Sequence, residues 1–130
     1  MAKKDIDWGS LGFGYIETDY RYLSSFKDGK WDEGALITDP NVTLNECACV
    51  FQYAQTVFEG LKAYTTEDGR TVTFRPDLNA ERINQSAARL KMPVLPEGRF
   101  IEAVKMVVKA NEDFVPPFGS GASLYVRPYI

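Results

Sequence analysis

The order of patterns along this chain predicts an α+β domain: a mainly antiparallel, twisted sheet with two main helices packed on it. Extended runs arranged as hairpins fill the first half, two stretches of helical period follow Pro76, and an extended run returns at the end. This is not the strand–helix alternation of a dinucleotide-binding fold, and Gly12-Phe13-Gly14 does not make a phosphate loop.

Residues 1–18 read as irregular, with Gly9, Gly12 and Gly14 around Leu11 and Phe13. Tyr20 to Phe26 and Trp31 to Ile37 are extended runs joined by Lys27-Asp28-Gly29-Lys30. Asp-Gly favours positive φ at both central turn positions, so the pair predicts a hairpin. Asp39-Pro40-Asn41 is a loop, and Ala48 to Tyr53 is a short apolar run. Leu61–Tyr64 and Thr71–Arg75 make a second hairpin around Asp68-Gly69. After Pro76, Ile83, Ala87 and Leu90 recur at i, i+4, i+7 as one apolar stripe, with Asp77 or Asn79 placed to cap its start. Pro93 and Pro96 end that helix. Glu97 begins the next, with Ile101, Val104, Val107 and Val108 on its core face and Lys105 and Lys109 near its negative end. Two prolines and two glycines make Asp113–Gly121 a loop. In the final SLYVRPYI, Leu124, Val126 and Pro128 point one way and Tyr125, Arg127 and Tyr129 the other. Pro128, lacking an N–H, belongs at a sheet edge or strand end.

The 130 residues suit one domain, spanning 1–130, and the composition is that of an ordinary globular protein, 45% hydrophobic and 25% charged. Net charge is −3, which gives no general electrostatic case for nucleic acid. No stretch approaches the roughly 20 apolar residues of a membrane span, and Lys3 and Lys4 lead into no signal-peptide core. Cys47 and Cys49 are expected to be reduced, buried thiols of a cytoplasmic protein. With no histidine the chain offers neither a zinc site nor histidine acid–base chemistry.

Few residues carry chemistry. Arg82, Ser86 and Arg89 share a helix face. Arg82 reaches an anion through its planar donor fork, or all three are simply solvated. Tyr125 and Arg127 share a strand face, as a pocket wall with a carboxylate-binding arginine or as one side of a cross-strand salt bridge. Phe13, Phe26, Tyr53 and Phe58 line an apolar pocket or belong to the core. Lys62 has nothing beside it to lower its pKa, so it reads as an ordinary exposed lysine, and Glu17 and Glu59 have no visible partner.

Three stretches in series then resemble one family. TVFEGLKAY (Thr56–Tyr64), FRPDLNAERINQSAARLKMP (Phe74–Pro93) and SLYVRPYI (Ser123–Ile130) are similar to the N-terminal small domain of branched-chain amino acid aminotransferases, fold-type IV enzymes that use pyridoxal phosphate. The resemblance runs from about Gly12 to Ile130, with GFGYIETDY and DFVPP in the expected order. It implies that Arg82 binds the cofactor phosphate. It implies that Phe13, Tyr53 and Phe58 line the side-chain pocket, and that Tyr125 and Arg127 stand at its edge, where the arginine meets the side-chain carboxylate of glutamate or 2-oxoglutarate. It implies a homodimer exchanging amino groups between branched-chain amino acids and 2-oxo acids. It also implies a larger C-terminal domain that carries the Schiff-base lysine, so that this chain alone is inactive. D-amino acid aminotransferases and aminodeoxychorismate lyases share a helix arginine but do not usually carry FEGLKAY and YVRP in this form. A non-enzymatic binding module that retains the fold is the alternative from another class; the missing histidine and catalytic lysine favour it, and a final strand that leads nowhere opposes it.

Overall fold

A computed structural model describes residues 2–130. The first hairpin forms where Asp28-Gly29 calls for it. β1 (Arg21–Leu23) pairs with β4 (Ala35–Ile37) and β2 (Phe26–Lys27) with β3 (Lys30–Trp31), both antiparallel. Asp28 and Gly29 sit at φ 52° and 80°, the left-handed pair that a type I′ turn requires. The two expected runs are nonetheless broken midway. Asp32 Oδ1 accepts from the Ser24 hydroxyl at 2.8 Å, the Ser25 N–H at 3.0 Å and the Gly34 N–H at 3.0 Å. Backbone donors taken by a side chain are lost to the ladder, so the ribbon divides in two.

Ala48–Tyr53, read only as a short apolar run and not among the two expected helices, forms a short helix, α1 (Cys49–Tyr53), stopped by Ala54 at φ 49°. β5 (Leu61–Thr65) and β6 (Thr71–Thr73) follow as the second hairpin, then α2 (Pro76–Arg89), α3 (Glu97–Ala110), a 3-10 turn over Glu112–Phe114, and β7 (Leu124–Val126). β7 returns antiparallel to β5, giving a sheet in the order β6-β5-β7. The antiparallel character is as expected, but among the described residues it is spread over one three-stranded and two two-stranded sheets.

The core lies between β5 and the two long helices. Val57, Leu61 and Ala63 bury one face of the strand region, Ala80, Ile83 and Ala87 one face of α2, and Phe100, Val104 and Val108 one face of α3; Val115 and Val126 close it. On α2 the stripe begins at Ala80, and Leu90, expected on it, is exposed at the helix end. On α3, Phe100 takes a place expected of Ile101 and Val107, which are only partly buried.

The start of α2 departs from the capping expectation. Pro76 opens it, where a missing N–H costs nothing, after Arg75 at φ 46°. Asp77 does not cap. It pairs with Arg75, whose Nη2 lies 2.6 Å from Oδ2. Asn79 points inward instead, and its destination is the site described below.

Pro128 follows the edge strand β7, as its missing N–H demands, and its carbonyl accepts from the Glu59 N–H at 2.8 Å. Val57 and Ile130 exchange N–H···O bonds of 3.0 and 2.9 Å, so the pairing of β5 with the last strand extends outward through residues 57–59.

Candidate functional site

Three consecutive residues, Phe58-Glu59-Gly60, organise the site. Side chains alternate across a strand, and here Val57, Glu59, Leu61 and Ala63 are buried against the helices while Phe58 and Lys62 face outward. The register that sets Lys62 opposite Tyr125 and Phe58 opposite Tyr129 puts Arg127 opposite Gly60. The outward face therefore carries Phe58, Gly60, Tyr125, Arg127 and Tyr129 together.

On this face the guanidinium carbon of Arg127 stands 4.4 Å from the Phe58 ring centroid and 5.0 Å from that of Tyr125. Arg127 Nε donates to Tyr125 Oη at 3.0 Å. The aromatic faces attract the cation and the hydroxyl fixes its plane. No carboxylate pairs with Arg127 among the described residues, so the cross-strand salt bridge weighed from sequence is not formed. Its Nη1 and Nη2 groups remain open on an exposed side chain, a donor fork of the geometry that carboxylates accept.

On the opposite face, Glu59 is only 4% exposed. Its Oε1 accepts from Arg82 Nε at 2.5 Å, and its Oε2 from Arg82 Nη2 at 2.6 Å and Asn79 Nδ2 at 2.8 Å. The Arg82 side chain is 66% exposed, so α2 sends it from the surface down onto a buried carboxylate. The Arg82 bond holds the Glu59 carboxyl below the usual carboxylate range, with burial opposing and Asn79 assisting. Glu59 in turn raises the pKa of Arg82. A buried carboxylate is tolerated because all its partners are in place. Arg82 keeps Nη1 unbonded among the described residues, on a side chain that is two-thirds exposed.

The structure gathers Phe58, Tyr125 and Arg127 on one face and sets Arg82 on the other side of the same strand region. Phe13 and Tyr53 are not part of either group. Phe13 is fully exposed in the irregular N-terminal segment. Tyr53, on α1, lines an open cleft of about 350 Å³ with Cys49, Ala54, Gln55 and Leu90. Phe26 packs edge-on against Trp31 of its own hairpin, centroids 5.3 Å apart. Lys62 is exposed, as expected.

Two expectations are corrected here. Cys47 and Cys49 are free thiols but exposed rather than buried, because α1 lies on the surface and buries none of its residues. Neither Glu59 nor Glu17 is unpartnered: Glu17 lies 3.7 Å from Arg21 Nη2, and Glu59 is the anchor of Arg82. Sequence reasoning missed Glu59, Asn79 and Gly60. Glu59 and Arg82 are 23 positions apart, with no local signal linking them. Gly60 had a signal, since a glycine at the mouth of a strand marks close approach of another group.

No family model matches the chain. Its sequence is 53% identical over 127 residues to a branched-chain-amino-acid aminotransferase of Haemophilus influenzae, covering 98% of this chain and 37% of that protein. It is 43% identical over 127 residues to one of Helicobacter pylori, with coverages of 98% and 37%. It is 42% identical over 127 residues to a methionine aminotransferase of Arabidopsis thaliana, with coverages of 97% and 36%. The chain spans about a third of the length of the curated relatives it matches. Along nearly all of its own length, then, this chain is homologous to the branched-chain amino acid aminotransferases.

Proposed function

We propose that this chain is the N-terminal small domain of a branched-chain aminotransferase, which moves an amino group between L-leucine, L-isoleucine or L-valine and 2-oxoglutarate. The observation that carries the reading is Arg127, an unneutralised guanidinium laid on the rings of Phe58 and Tyr125. Such a wall serves two kinds of side chain. An aliphatic one gains contact with the rings, and an acidic one gains a paired bond to the open edge of Arg127. Amino transfer between a branched-chain donor and 2-oxoglutarate requires one pocket to take both in turn. We assign Phe13 and Tyr53 to the same pocket from the sequence resemblance alone.

Pyridoxal phosphate suits the donors this chain offers at one point. Arg82 is held by one edge and keeps Nη1 unbonded among the described residues on a mostly exposed side chain, leaving a donor that a phosphate oxygen can accept from. In this reading Arg82 holds the phosphate, and the bound cofactor supplies the electron sink for the reaction. The lysine that carries it belongs to a larger C-terminal domain outside this chain. We place the enzyme in the cytoplasm as a homodimer. The free thiols fit a reducing compartment, and no helix among the described residues is long and apolar enough to cross a membrane.

The test is amino transfer by the full-length protein that contains this chain. Turnover of L-leucine with 2-oxoglutarate, exceeding turnover of D-alanine, supports the reading. Turnover of D-alanine alone, or none with either, overturns it.

A further inference from the structure

Gly60 stands directly across the ladder from Arg127 and diagonally from Tyr125. A Cβ on Gly60 would overlap Tyr125 Oη and lie 3.0 Å from Tyr125 Cε2 and Cζ. Gly60 is not among the residues with positive φ, so its backbone does not by itself demand glycine. What demands it is the tyrosine ring, which leans into the space a methyl group would fill. That lean brings Oη to 3.0 Å from Arg127 Nε. It also sets the ring 5.0 Å from the guanidinium carbon, while Phe58 supports the cation at 4.4 Å. Lys62, opposite Tyr125, is exposed and makes no bond to its hydroxyl, so among the described residues Arg127 is the partner that the tyrosine's position serves.

We propose that Gly60 is a specificity-determining positioning residue: its missing side chain seats Tyr125 so that the tyrosine hydroxyl aims the open edge of Arg127 at an acidic substrate side chain. This rests on Arg127 being the contact for the substrate's side-chain carboxylate. Gly60 itself touches no reacting atom. It acts through Tyr125, and Tyr125 through Arg127. An aliphatic side chain, which needs only the apolar wall, depends less on that aim.

The experiment is Gly60→Ala in the full-length protein, with kcat and KM measured separately for L-glutamate and L-leucine. The clash is with the far end of one side chain, so the variant folds, with a thermal midpoint close to the parent's. For L-glutamate kcat/KM falls about tenfold, mainly through KM, while for L-leucine it stays within about threefold. Tyr125→Phe, which removes the acceptor and keeps the ring, reproduces the selective loss. The double variant is no worse than either single one, because both break the same contact. An equal loss for both substrates means that the added methyl group only fills the pocket, and the proposal falls. No loss for either substrate overturns it as well. If Gly60→Ala does not accumulate, Tyr125→Phe decides alone, and an unselective effect there is contrary. Arg127→Ala in the same assay separates the two claims. A selective glutamate loss in Arg127→Ala with a silent Gly60→Ala removes only the role of Gly60. An equal loss in Arg127→Ala removes the reading of Arg127 and this proposal together.

Discussion

Glu59 and Arg82, 23 positions apart in sequence, form a two-point pair in which the carboxylate is buried and the guanidinium is two-thirds exposed. The asymmetry gives each partner a different task. Glu59 spends its lone pairs inside the fold, on Arg82 and Asn79. Arg82 has one edge fixed and the other open. An exposed arginine held in this way has already lost rotamer freedom that it would otherwise lose on meeting a ligand.

Arg82→Ala is expected to weaken retention of pyridoxal phosphate by the full-length protein about tenfold, the worth of one charge-assisted phosphate contact. Titration of the apoprotein by absorbance reads this directly. An unchanged affinity would mean that the open edge of Arg82 faces only solvent, and that α2 carries no cofactor contact.

The same pair sets an acid limit on stability. The Glu59 carboxyl, bonded by Arg82, sits below its unfolded value of about 4.3. A lowered folded pKa contributes stability that is fully present above the unfolded value and is lost as pH falls through the folded one. The thermal midpoint should therefore drop on acidification below about pH 4.3, and Glu59→Gln should flatten part of that drop. Asp32, Asp39, Asp68 and Asp77 are lowered too, so the difference between parent and variant, rather than the parent curve, isolates Glu59. Parallel curves would show that Glu59 does not titrate as described.

Cys47 and Cys49 should both react with a colorimetric disulfide reagent in the native protein, before any denaturant is added. Cys47→Ser and Cys49→Ser should each change stability by less than about 0.5 kcal/mol, since neither fills the core. Thiols that react only after unfolding would restore the buried placement read from sequence.

How much was legible in the sequence follows from how local each signal is. Asp28-Gly29 declares its turn within two residues, and both adopt the positive φ that the pair favours. Ile83 and Ala87 declare a helix within two turns, and the alternation from Leu124 to Tyr129 declares a strand face. Ala48–Tyr53 was too short for period to choose between strand and helix, and the cysteines were misplaced with it. The division of the first ribbon depends on one Asp32 oxygen taking three donors, which no pattern announces. Asn79 looked like a cap because its type and position allow one, but a buried carboxylate from another element competed for it and won. Of the candidate site, Phe58, Tyr125 and Arg127 were named from the sequence and are adjacent in the fold. Glu59, which holds Arg82, needed the tertiary pairing to be seen, and the glycine signal at Gly60 could not say that the group approaching it is Tyr125.

The central claim is that one wall, made of Phe58, Tyr125 and Arg127, accepts both branched and acidic side chains, and that Arg127 serves only the acidic ones. The most direct measurement is the ratio of kcat/KM for L-glutamate to that for L-leucine in Arg127→Ala and in the parent full-length protein. The predicted result is a fall of about a hundredfold for L-glutamate, with L-leucine within about threefold. Equal losses for the two substrates would contradict the account and leave Arg127 as a structural residue of the sheet edge.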